Sequence, residues 1–199
     1  MKKLFTFLLL TSVTCAQEKP QLETLLMLPE PRAMRSERSI IPESALATVL
    51  SPAREIVGVP GIEVYSKEDF AKLGLSPETF AERAKKSAEK LLADVQPEVI
   101  RGADGRVAYA VYRGDRPVMA SLLLAPSLPA IFAEMFGDEI WVALPDRHSL
   151  FVFPARQEAV AEFVADLATR YREDIHAASP EIFSLKKGHA PRVVAAFAE

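Results

Sequence analysis

The sequence predicts an α+β domain, with helices packed on an antiparallel sheet. Three observations predict it: two serine-capped helix starts at Ser66 and Ser76, two pairs of apolar β-type segments joined by tight turns, and a helical apolar stripe over residues 160–171. Strands joined by tight turns must run antiparallel, and an apolar-faced sheet of that kind needs helices to cover it.

The chain opens with MKKLFTFLLLTSVTCAQE. Lys2 and Lys3 form a positive n-region, Leu4 to Leu10 an apolar h-region, and Thr14-Cys15-Ala16 places small residues before a cut at Gln17. This is the pattern of a secretory signal peptide over residues 1–16, with an apolar run too short to span a bilayer. The expected location is the periplasm or cell envelope, with secretion as the alternative. Cys15 is the only cysteine, and it offers a second route, lipidation, which would leave the protein on a lipid anchor. Ser12-Val13-Thr14 fits a lipobox poorly, so cleavage after Ala16 is the preferred reading. Under it the mature chain has no thiol, and a packed core must supply its stability.

The net charge is −3, and the signal segment carries two of the 24 basic residues and none of the 27 acidic ones, leaving −5 for the remainder. A mildly acidic chain is a poor partner for nucleic acid or an anionic membrane. No stretch is long and apolar enough to predict a transmembrane helix in the mature protein.

Residues 17–38 hold Pro20, Pro29 and Pro31 with no sustained period and read as a linker. Its short apolar patch, Leu25 to Leu28, could instead pack on the domain or on a partner. The domain is expected over 39–199. Short strands fit near 46–50 and 62–65. Ser66 with Asp69 three residues on starts a short helix, which Gly74 ends. Ser76-Pro77 starts a longer one, with Phe80, Ala84, Ala88, Leu91, Leu92 and Val95 as its buried stripe and Pro97 as its stop.

Arg106–Tyr112 and Val118–Leu124 flank Gly114-Asp115, and Ile140–Leu144 and Leu150–Phe153 flank Pro145-Asp146-Arg147-His148; both read as hairpins. A helix from Ser127 to Gly137 lies between them. Val160, Phe163, Val164, Leu167, Ala168 and Tyr171 make the last helical stripe. The expected order is α–β–β–α–β–β–α.

Ser66–Ser76 (SKEDFAKLGLS), Ala120–Leu124 (ASLLL), Gly137–Val152 (GDEIWVALPDRHSLFV) and Ala178–Phe183 (ASPEIF) resemble successive blocks of an uncharacterised bacterial family, the YtpQ-like proteins. The likeness covers roughly residues 60–185, and its most specific part is the strand–turn–strand around Pro145, Asp146 and Arg147. The export signal and the reduced N-terminal part depart from the family pattern. The resemblance implies an α+β fold and carries no activity.

The expected topology gathers polar groups at one end of the sheet. Asp146, Arg147 and His148 are expected near Asp104, Arg106, the helix start at Ser127, and His176. That set would make an anion site, because free N–H groups and arginines favour negative charge. The alternative is a turn whose polar residues simply face water. No nucleophile elbow, phosphate loop or H-E-x-x-H motif is present, and His148, His176 and His189 have no ligand spacing, so neither metal nor cofactor is expected. Arg113-Gly114-Asp115 spells an adhesion tripeptide but sits where a turn is expected. Two functions follow as expectations. The first is a non-enzymatic envelope module binding a protein or a small anionic ligand. The second is a small hydrolase of phosphorylated or carboxylated substrates, with His148 as base and Arg147 as clamp.

Overall fold

Serines start the first two helices, as their spacing predicts. In the computed structural model, which describes residues 25–56 and 61–198, Ser66 accepts from the Asp69 amide to cap α1 (Lys67–Lys72), and Gly74 follows at φ +64°. Ser76 accepts from the Thr79 amide to cap α2 (Pro77–Asp94), whose buried residues are Phe80, Ala84, Ser87, Ala88, Leu91 and Leu92. The 1–16 signal segment, Cys15 included, lies outside the described residues.

The expected linker holds a strand. Leu25–Pro31 forms β1, pairing antiparallel with β2 (Thr48–Glu55), and Leu25 to Leu28 are all buried. Pro29 and Pro31 are what make this segment resemble a linker in the sequence. A proline removes a ladder donor, yet an edge strand tolerates it, and β1 is an edge of a three-stranded sheet ordered β1-β2-β3, with β3 at Ile62–Val64.

The second sheet has six strands in the order β4-β5-β7-β6-β8-β9, all antiparallel. They are Glu98–Arg101, Val107–Arg113, Glu139–Ala143, Ser149–Pro154, Glu181–Lys186 and Arg192–Ala196, numbered β4 to β9 along the chain. The fold is thus α+β as expected. The β6–β7 hairpin stands where the sequence put it.

The first expected hairpin does not. Met119–Leu124 is a buried 3₁₀ helix, and β5 pairs with β4 across the Gly102–Gly105 turn and with β7 on its other side. All six residues of the 3₁₀ helix are buried, and a short run buried on every side has no period to separate strand from helix. Gly105, at φ +78°, makes the true turn, with Gly102 donating to the Arg106 carbonyl at 2.9 Å.

The expected helix from Ser127 to Gly137 is two short ones, α3 (Leu128–Ile131) and α4 (Ala133–Phe136). The last stripe is also broken, into α5 (Gln157–Ala161) and α6 (Val164–Glu173), with Phe163 capping the second. The strands β1, β4, β8 and β9 were not expected, β2 and β3 stand near the short strands expected at 46–50 and 62–65 outside the α–β–β–α–β–β–α order, and the strand at 118–124 is lost.

Alternation along the strands divides the core between two faces of the six-stranded sheet. Ala110, Tyr112, Ile140, Val142, Leu150, Val152, Phe183 and Leu185 face the 3₁₀ helix, α2 and the smaller sheet. Val111, Ala143, Phe151, Phe153 and Ile182 face α5 and α6, where Val160, Leu167 and Ala168 meet them. Burial raises the Tyr112 phenol to about 12, since a charged phenolate would have to shed its water there.

Candidate functional site

The Asp146-Arg147-His148 turn is built into the structure instead of facing water. Asp146 is 5 % exposed, and its carboxylate accepts from the His148 amide at 2.8 Å and from the Ser149 hydroxyl at 2.7 Å. Arg147 reaches β1, where its guanidinium donates to Glu30 at 2.6 Å; the two side chains are 18 % and 2 % exposed. The charge expected to clamp a ligand anion is therefore neutralised by a buried carboxylate of the chain itself. The His148 ring places Nδ1 3.1 Å from the Gly114 carbonyl oxygen, which fixes its orientation.

One expected neighbour is there. The Arg147 amide donates to the His176 carbonyl at 3.1 Å, and the two histidine rings stand 5.8 Å apart. The others are not. Arg113 pairs with Ser149 at the turn end of β5, so Asp104 and Arg106, before the opposite end of that strand, lie about 20 Å away at 3.3 Å per residue. They line an open cleft with Arg156, Glu158, Glu162 and Phe163. Ser127 is engaged elsewhere: its amide and hydroxyl each donate at 2.6 Å to the Glu89 carboxylate of α2. The set fails to assemble because it was placed by the hairpin that does not form.

The same corner fastens the 46–48 segment to the start of β8. Glu181 of β8 accepts from the Leu46 and Ala47 amides at 2.7 and 3.1 Å, and Thr48 and Ser179 share a buried hydroxyl contact of 2.6 Å. With Glu30–Arg147, these bonds staple the smaller sheet to the larger. The corner's polarity holds the fold together.

A different place has the character of a binding site. A cavity of about 210 Å³ opens between the end of the 3₁₀ helix, the α3 approach and the β8–β9 turn. Buried Leu123, Leu124, Ala125, Pro129 and Leu185 form its floor. Lys85, Lys186 and His189 line it as well, and no carboxylate does. Lys85 is half-buried and donates to exposed Glu82 at 2.6 Å in an i,i+3 pair. Lys186 and His189 make no side-chain hydrogen bond or ion pair with any other described residue. The turn that carries them is tight: Gly188 sits at φ +79°, and the His189 amide donates to the Lys186 carbonyl at 3.0 Å.

On the opposite sheet face lies a mixed-charge cleft lined by the same Lys186 and His189 together with Glu43, Glu139, Ser184 and Arg192, and Glu139 is the cross-strand partner of Lys186. There the Ser184 hydroxyl donates to Glu139 at 2.6 Å, so it faces a carboxylate and no base that could activate it.

No family model, curated protein or solved structure matches the chain. Among the described residues, no three His, Cys, Asp or Glu side chains gather to hold a metal ion, and no helix is long and apolar enough to cross a membrane. The sequence offered little sign of the cavity. Its lining comes from four segments between positions 85 and 191, none with a motif of its own. The only local signal was the Lys186-Lys187-Gly188-His189 turn, basic in an otherwise acidic protein.

Proposed function

We propose that the mature chain is a non-enzymatic binding module of the cell envelope that takes a small anionic ligand. The observation that carries this reading is the cavity beside the β8–β9 turn, with an apolar floor and with Lys85, Lys186 and His189 in its lining. In a chain of net charge −3, basic residues around an apolar recess favour an anion over a cation. An apolar recess with few convergent polar groups is also the usual form of a small-ligand site. The hydrolase alternative loses its basis at the expected place, because Arg147 is held by Glu30 and His148 is anchored to Gly114. A base without a nucleophile or metal beside it does not make a hydrolytic centre.

The envelope location rests on the signal pattern of residues 1–16, and the YtpQ-like resemblance belongs to this proposal without adding an activity to it. Intact-mass measurement on the envelope fraction tests the location. The expected N-terminus is Gln17, or lipid-bearing Cys15 if the anchor route is taken; cytosolic protein retaining Met1 refutes it. Amide NMR against a panel of small anionic and neutral fragments tests the binding. Shifts should cluster at residues 123–129 and 185–191. Shifts confined to other surfaces, or none from any fragment, refute the reading.

A further inference from the structure

Two turns of the same chemistry meet at the stapled corner. Asp146-Arg147-His148 and Asp174-Ile175-His176 are both Asp-X-His segments. In each, the aspartate carboxylate accepts from the histidine amide two residues on, at 2.8 Å and 2.6 Å. The Arg147 amide donates to the His176 carbonyl at 3.1 Å, Asp146 and Ala177 form an antiparallel bridge, and the two imidazole rings stand 5.8 Å apart. We infer that this histidine pair binds a divalent transition-metal ion, with Nε2 of His148 and one ring nitrogen of His176 as its protein ligands. The site is separate from the cavity at the β8–β9 turn.

The spacing suits an ion. Imidazole nitrogens bind zinc at about 2.0–2.1 Å, which puts the ion roughly 3.2 Å from each ring centre and two ligating rings about 5–6.5 Å apart. The observed 5.8 Å lies inside that range. No ligand spacing marks the two histidines, 28 positions apart in the sequence; the bridge between their turns brings them together.

The bonding of His148 suits a ligand. Its Nδ1 lies 3.1 Å from the Gly114 carbonyl oxygen, which can only accept. Nδ1 therefore carries the proton in that bond, and Nε2 of the neutral ring keeps its lone pair. A backbone carbonyl holding the far N–H is the usual support of a metal-bound histidine. His176 is exposed, and its ring makes no hydrogen bond with another described residue, so it can turn toward an ion.

The charge suits a dication. Asp146 and Asp174 bring two carboxylates to the paired turns. The guanidinium of Arg147 reaches away to Glu30 at 2.6 Å, which offsets it. Imidazole donors suit Cu²⁺, Ni²⁺ and Zn²⁺, whereas Mg²⁺ and Ca²⁺ take oxygen. Two protein ligands leave the other positions to water. A structural zinc site closes with four protein ligands, so this one holds its ion exchangeably.

Calorimetric titration of the untagged mature protein with Ni²⁺ and Zn²⁺ tests the site, with amide NMR to locate Ni²⁺ by its broadening. One equivalent of each ion should bind, broadening should centre on Gly114 and residues 146–149 and 174–177, and Mg²⁺ should give no heat. Removing a mere supporting partner of a metal-bound histidine costs about 10–100-fold in affinity. His148→Gln and His176→Gln should therefore each weaken Ni²⁺ at least about tenfold, and His189→Gln should change nothing. His176 is exposed, so His176→Gln should keep the urea midpoint of the parent and carries the test alone if His148→Gln disturbs its turn. Ni²⁺ binding unchanged in His176→Gln, broadening centred on other residues, Mg²⁺ binding as tightly as Ni²⁺, or no heat from either transition ion would each overturn the inference.

Discussion

Arg147 shows how far a residue's neighbours decide its role. In the turn sequence Pro-Asp-Arg-His it looks ready for a ligand, but its partner is Glu30, a residue 117 positions earlier. Breaking such a pair is costly because it leaves one charge buried and uncompensated. Arg147→Ala should therefore destabilise the protein by about 3–5 kcal/mol in urea unfolding. Replacing both partners, Glu30→Leu with Arg147→Met, should recover most of that loss. A double variant no better than the single one would show that the pair does more than neutralise itself. Tyr112 makes a prediction in the alkaline range. Its phenol is held up to about 12, so between pH 10 and 12 the folded state keeps a proton that the unfolded state has lost. Its share of stability is intact below pH 10 and declines as pH rises to about 12, by about 2–3 kcal/mol in all. Burial pushes Tyr65 and Tyr171 in the same direction. Denaturant unfolding at stepped pH should show the decline, and Tyr112→Phe should make it shallower.

Elements were legible where they carry their own punctuation. Ser66, Gly74, Ser76-Pro77 and Pro97 bound α1 and α2 by local chemistry alone, and the β6–β7 hairpin announces itself by its turn. Elements whose signal is tertiary were not. The run Met119–Leu124 is apolar throughout, and only the presence of β4 and β7 on either side of β5 shows that no place remains for it as a strand. Glu98–Arg101 is short and mostly exposed, so it lacks the apolar alternation that marks a strand. At the candidate site, the nearness of His176 to the 146–148 turn was foreseen, whereas Asp104, Arg106 and Ser127 inherited the error in strand pairing. The segment at β1 gives the sharpest test of an element. A linker residue would tolerate truncation, but Leu28 is fully buried in the main core, so Leu28→Ala should cost about 2–5 kcal/mol. A loss under about 0.5 kcal/mol in urea unfolding would return β1 to the status of a tail.

At the scale of the molecule, α5 and α6 cover one face of the six-stranded sheet, while the 3₁₀ helix, α2 and the smaller sheet cover the other. The β8 strand lies between β6 and β9, so the late chain extends one edge of a sheet begun earlier. Glu181 then reaches back 135 residues to the Leu46 amide, and Ser179 reaches back 131 to Thr48. That arrangement acts as a timer on biosynthesis. The Ser179 and Glu181 bonds between the two sheets cannot close until β8 has left the ribosome. Contacts so distant in sequence slow folding as well, because a long loop must be closed before they repay the ordering. Until β8 emerges, a nascent chain of this topology lacks that part of the lock between its two sheets.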